Sequence, residues 1–121
     1  MTKKILAVDD SSSIRKMVEF TLKSRGFKVT TAVDGQEALE FLARDIPDAV
    51  ILDINMPRLD GFEFLKRIKA DEAYSAIPVM MLTTEGQDED RDTAQALGAG
   101  HYIVKPFKPS ELIAAVEKLF L

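Results

Sequence analysis

Five short strand-like runs recur along the chain: Ile5-Leu6-Ala7-Val8, Lys28-Val29-Thr30-Thr31, Ala49-Val50-Ile51-Leu52, Val79-Met80-Met81-Leu82 and Tyr102-Ile103-Val104. Three of them are unbroken by polar residues, the pattern of parallel strands covered on both faces. Between the runs the period changes to that of amphipathic helices. Ile14, Met17, Val18, Thr21 and Leu22 form one stripe behind the polar start Ser11-Ser12-Ser13, and Gly26 stands where a left-handed C-terminal cap belongs. Asp34 with Glu37, and Asp60 with Glu63, have the spacing of reciprocal N-terminal caps. The last helix carries Pro109 in its first turn, then Leu112, Ile113, Val116, Leu119 and Phe120 on one side. The segment from Asp88 to Leu97 is the weakest: it offers a core mainly Ala94 and Leu97, and its four acids turn to water. This alternation predicts a (βα)5 chain, a doubly wound three-layer α/β domain with right-handed crossovers.

Composition narrows the setting. At 121 residues and 13.5 kDa the chain has the size of one domain. With 46% hydrophobic and 30% charged residues it reads as an ordinary globular protein. No cysteine is present, so disulfides and thiolate metal sites are excluded. Met1-Thr2-Lys3-Lys4 runs straight into the first strand without an apolar targeting region, and no apolar run approaches the ~20 residues that span a bilayer. A cytoplasmic chain with no membrane partner is expected. The net charge of −4 argues against direct nucleic-acid binding. Repeats and linkers are lacking, so residues 1–121 are expected to form one domain with no effector attached.

The polar residues that follow the strands carry the chemistry. The first strand ends in Asp9-Asp10, the third in Asp53, the fourth in Thr83-Thr84 and the fifth in Lys105-Pro106. In an open parallel sheet the carboxyl ends share one edge, and ligands bind in the crevice there. An Asp behind one strand is commonly no more than a helix cap, Thr83 alone a turn residue, Lys105 alone a solvated charge. Their coincidence at four carboxyl ends marks a site. Three carboxylates about 5 Å apart repel by ~3 kcal/mol per pair at an effective dielectric near 20. Lys105 offsets only part of this. A hard divalent cation resolves it, and all-oxygen ligands suit Mg²⁺. A carboxylate beside Mg²⁺ can attack phosphorus to give an aspartyl phosphate, with Lys105 and the Thr83 hydroxyl placed for the phosphoryl oxygens. Asp53, leaving the central strand, is the natural acceptor, and Asp9 and Asp10 are then metal ligands.

Val8-Asp9-Asp10, Leu52-Asp53-Ile54-Asn55-Met56-Pro57, Leu59-Asp60-Gly61, Leu82-Thr83-Thr84 and Val104-Lys105-Pro106-Phe107 resemble the response-regulator receiver family of two-component signalling. The likeness covers essentially the whole chain and is nearest to the single-domain chemotaxis regulators. It implies the flavodoxin-like strand order 2-1-3-4-5. It also implies that Asp53 takes a phosphoryl group from the phosphohistidine of a histidine kinase. By the same likeness Asp10, Asp53 and the backbone carbonyl of Asn55 bind Mg²⁺ directly, Asp9 binds through water, Lys105 pairs with the phosphoryl group, and the Lys105-Pro106 bond is cis. Thr83 then moves toward the phosphate and Tyr102 turns inward, remodelling the fourth helix, fifth strand and fifth helix as the partner surface. Asn55 and Glu85, two residues beyond the acceptor and the switch Thr, tune water attack on the phosphoryl group. Two departures stand out. Thr84 is bulkier than the family's usual small residue, and Ile54 replaces a Trp that some chemotaxis regulators carry.

The resemblance implies a monomer that catalyses its own phosphorylation and dephosphorylation without being an enzyme. Its partners are a histidine kinase, a downstream protein (a flagellar-motor switch protein in the chemotaxis reading) and a phosphatase. A phosphorelay or cell-cycle output is the alternative. A haloacid-dehalogenase-type phosphatase also uses a strand-end Asp with Mg²⁺, but it needs a second Asp where Asn55 stands, and Asn cannot ionise. A flavodoxin-like electron carrier would set a flavin phosphate against Asp9-Asp10, which repel it. His101, the sole histidine, begins the last strand, whereas a phosphodonor needs an exposed helical His.

Overall fold

The computed structural model describes residues 2–54, 56, 59–84 and 88–120, without the side chains of 83, 84 and 88. Ten elements alternate along the chain: β1 (Lys4–Val8), α1 (Ser12–Lys23), β2 (Lys28–Ala32), α2 (Gly35–Arg44), β3 (Ala49–Asp53), α3 (Gly61–Ala70), β4 (Val79–Thr84), α4 (Asp88–Ala96), β5 (His101–Lys105) and α5 (Pro109–Lys118). The sheet is parallel in the order β2-β1-β3-β4-β5. That is the expected doubly wound topology, and it brings the ends of β1, β3, β4 and β5 to one edge.

Two cores sandwich the sheet. Leu6, Val50, Leu52 and Met81 face α2 and α3, where Leu42, Phe64, Leu65 and Ile68 close over them. Ile5, Ile51, Met80 and Leu82 face α1 and α5, covered by Val18, Leu22, Leu112 and Val116. Because β1 and β3 are covered on both sides, their apolar runs are continuous rather than alternating.

The helix starts are written locally. Ser11 Oγ accepts from Ile14 N at 3.4 Å. Asp34 Oδ1 accepts from Glu37 N at 2.9 Å while Val33 N donates to the Glu37 carboxylate at 3.0 Å, so this cap is reciprocal, though it returns to the residue before Asp34. Asp60 Oδ1 accepts from Glu63 N at 2.9 Å, but Glu63 turns its carboxylate toward Lys66, 3.6 Å away. Gly26 has the expected positive φ of 88°. No helix among the described residues is long and apolar enough to cross a membrane.

Candidate functional site

Strand register assembles the site. Val8 lies opposite Leu52, so the residues that follow β1 come level with the end of β3. Asp53 pairs with Leu82, and Thr84 with Lys105, so the last turns of β4 and β5 close the other side. One carboxylate oxygen each from Asp9, Asp10 and Asp53 lies within 4.8 Å of the others. Asp9 and Asp53 are buried and Asp10 is exposed. Lys105 reaches in from β5: its Nζ stands 2.9 Å from Asp9 Oδ2 and 3.3 Å from Asp53 Oδ1. Burial pushes the Lys105 amine down, but Asp9 and Asp53 together outweigh it and hold the amine above its ordinary value. It therefore stays protonated across the neutral range.

Two supports of Asp9 carry no signal in the strand pattern. Ser11 N donates to Asp9 Oδ1 at 2.9 Å, and Arg15 Nη1 donates to the Asp9 backbone carbonyl at 2.8 Å. Ser11 thus holds the carboxylate while capping α1, and Arg15 of α1 holds the backbone of the same residue. The corresponding support of Asp53 is Gly61. A Cβ there would lie 2.3 Å from the Asp53 carbonyl oxygen and 2.8 Å from Ile54 Cα, and Gly61 N donates to Ile54 O at 2.9 Å. Only a residue without a side chain lets α3 start this close to the end of β3. The Leu59-Asp60-Gly61 motif signals it, but its reason is tertiary.

The arrangement suits a hard cation. Apart from the Lys105 ammonium 2.9 Å away, the buried Asp9 Oδ2 has no polar partner among the described residues. A buried carboxylate oxygen with lone pairs to spare, beside two further carboxylates, matches the all-oxygen preference of Mg²⁺. The Lys105-Pro106 bond is cis, as expected. Thr83 lies at the end of β4 opposite Val104; its side chain, and Asn55 and Glu85 altogether, fall outside the described residues. Tyr102 stands apart from the cluster. It points to solvent, 39% exposed, under the Arg91 guanidinium of α4.

Comparison with known proteins agrees with this geometry. Residues 5–117 match the model of the response regulator receiver domain. The chain is 49% identical over 113 residues to the "Probable transcriptional regulator ycf27" of Guillardia theta, covering 93% of this chain and 43% of that protein. It is 40% identical over 117 residues to the "Phosphate regulon transcriptional regulatory protein PhoB" of Escherichia coli (strain K12), covering 97% of this chain and 51% of that one. It thus spans about half the length of these curated relatives. Among solved structures, the chemotaxis response regulator CheY4 of Vibrio cholerae superposes with a TM-score of 0.93 at 43% identity, over 98% of this chain and 99% of that one. The strand order, the carboxylate cluster at its edge and the matched span agree: the chain belongs to the response regulator receiver domain family.

Proposed function

We propose that this chain is a phosphorylation-dependent switch that accepts a phosphoryl group on Asp53 from a histidine kinase. The observation that carries this reading is the convergence of Asp9, Asp10 and Asp53 within 4.8 Å, with the Lys105 ammonium set between two of them. In the transfer an Asp53 carboxylate oxygen bonds to phosphorus as the P–N bond of the phosphohistidine breaks, and the electron pair stays on the imidazole nitrogen. Lys105 is the protein's own cation for the phosphoryl oxygens and for the carboxylates around them. Asp9, Asp10 and Asp53, with the Asn55 carbonyl, are the groups that would hold Mg²⁺, which when bound supplies positive charge to the transferring group. Thr83 supplies the hydroxyl that follows the phosphoryl group, and Asn55 and Glu85 govern the approach of water that removes it. The phosphoryl group rests on the chain's own Asp53 until water removes it and restores the carboxylate, so the chain acts as a reversible switch in a cytoplasmic pathway rather than as an enzyme acting on a separate substrate.

The output is contact with a partner protein through α4, β5 and α5. Likeness to CheY4 along nearly the whole of both chains supports control of a flagellar motor. The 49% identity with ycf27 favours a second reading, in which a receiver of this sequence governs transcription. Retention of the chain on a flagellar-motor switch protein only with beryllofluoride, a phosphoryl mimic, supports the first; no retention supports the second.

The test of the core reading is direct. Incubated with acetyl phosphate and Mg²⁺, the protein is expected to gain one phosphoryl mass, and Asp53→Asn to gain none. An adduct of equal yield in Asp53→Asn overturns the assignment.

A further inference from the structure

A cavity of about 770 Å³ opens away from the carboxylate edge, along the lower half of β2. This strand is the outer member of the sheet and pairs only with β1. Lys28 N donates to Lys3 O at 2.9 Å, and Ala32 O accepts from Asp9 N at 3.1 Å. Backbone groups of successive strand residues point to opposite edges, so positions 28, 30 and 32 face β1 while Val29 and Thr31 direct their N–H and C=O outward. Among the described residues these outward groups have no hydrogen-bond partner. An unpaired edge is a template for another strand.

The charge around this edge is opposite to that of the chain. The net charge is −4, yet the cavity is lined by Lys4, Lys23, Lys28 and Arg44 against the single carboxylate of Asp45. Lys4 is taken by Asp45 at 2.6 Å and Lys23 by Glu19 at 3.1 Å. Lys28 and Arg44 have no carboxylate partner among the described residues. Phe27, Val29 and Phe41 supply apolar wall between the cations. An occupant must therefore offer backbone donors and acceptors in extended form, some apolar side chains and negative charge. Strand addition meets all three needs, the backbone giving affinity and the side chains specificity.

We propose that the open edge of β2 is a docking site for an acidic, extended peptide segment of a partner protein, which adds to the sheet beside β2 and sets its carboxylates against Lys28 and Arg44. The site is separate from the Asp53 cluster, so a partner held here leaves the carboxylate edge free.

The probes are short fluorescein-labelled peptides alternating Glu with Val, the same peptides with Lys for Glu, and Glu–Val peptides N-methylated at alternate amides. With the full chain, the Glu–Val peptide is expected to bind saturably and to move the amide resonances of Val29 and Thr31. The Lys–Val and N-methylated peptides should bind at least about tenfold more weakly. The double change Lys28→Glu with Arg44→Glu should weaken Glu–Val binding by at least about tenfold. Thr31→Pro, which removes one outward N–H but no bond to β1, should weaken it while thermal unfolding remains cooperative. Binding that ignores peptide charge or N-methylation, resonance shifts confined to other strands, or no saturation overturns the proposal. So does tighter binding of a single-stranded oligonucleotide, or self-association of the chain through this edge.

Discussion

The junction of β3 with α3 and the helix α4 border the same carboxyl edge, and they are built in opposite ways. All of Ala49–Asp53 is buried, and α3 adds Gly61, Phe64, Leu65 and Ile68 to the core, with Gly61 against the Asp53 carbonyl. Of the described side chains of α4, only Ala94 is buried; the rest are mainly Asp, Glu, Gln, Thr and Arg. Low burial means low local stability, and elements that move in switching are drawn from that end of the range. The carboxylate that we assign to chemistry thus sits on the stiff element, while the helix assigned to the response is lightly tied. Such a pair can hold a reacting group to fractions of an ångström and still change shape nearby.

The largest expected effect comes from spoiling the stiff side. In Gly61→Ala the new Cβ meets backbone atoms of Asp53 and Ile54, which cannot rotate away as a side chain would. The loss should be about 3 kcal/mol in urea unfolding, with phosphoryl uptake reduced because Asp53 is displaced. Gln95→Ala, on the exposed face of α4, should stay within about 0.5 kcal/mol of wild type. Equal losses at both positions would break the comparison.

A somewhat smaller effect belongs to the metal. A cation that binds the folded but hardly the unfolded chain stabilises by ~2.7 kcal/mol at 100 times its dissociation constant. Thermal unfolding of metal-free protein should therefore shift upward with millimolar Mg²⁺. Asp10→Asn removes one of the three crowded carboxylates, so without metal it should be at least as stable as wild type, yet lose most of the Mg²⁺ shift. A wild-type melting curve indifferent to Mg²⁺ would remove the cation from the site.

Much of this was legible in residue order. Ala49-Val50-Ile51-Leu52 reads as a strand because both of its faces are covered, and Asp9-Asp10, Asp53 and Lys105 meet because parallel strands share their carboxyl ends. What stayed hidden depends on contacts between distant segments. The Leu59-Asp60-Gly61 motif marks Gly61, but not the reason, a backbone carbonyl lying where its side chain would be. Ser11 and Arg15 look like an ordinary helix start, yet both hold Asp9. Ile54, Met56 and Leu59 lie outside any strand or helix, yet these three are buried in the core. Lys69 would be read as a solvated charge. Instead it donates to the carbonyls of Ser75 and Ile77 at 3.0 and 3.1 Å, and burial lowers its basicity. The cations around the lower end of β2 are scattered over residues 4–44 and gather only in the fold.

The smallest effect, and the sharpest test of the loose side, concerns Tyr102. Its ring lies 4.0 Å from the Arg91 guanidinium, and Arg91 also donates a hydrogen bond to its hydroxyl. If the response requires this ring to turn inward, Arg91 holds it back. An exposed cation–π contact is worth about 0.5–1 kcal/mol, so Arg91→Ala should raise the inward population about two- to fivefold while leaving global stability nearly unchanged. Tyrosine fluorescence can follow the ring, provided that Tyr74, the other tyrosine, is replaced in a Tyr74→Phe background. The variant should show a partly inward signal without beryllofluoride and the same end point as wild type with it, because Arg91 biases the equilibrium rather than the final state. Arg91→Lys keeps the charge but loses the planar stack and the directed fork, so it should fall between the two. An unchanged resting signal in Arg91→Ala would mean that packing along β5, and not this contact with α4, sets the position of Tyr102.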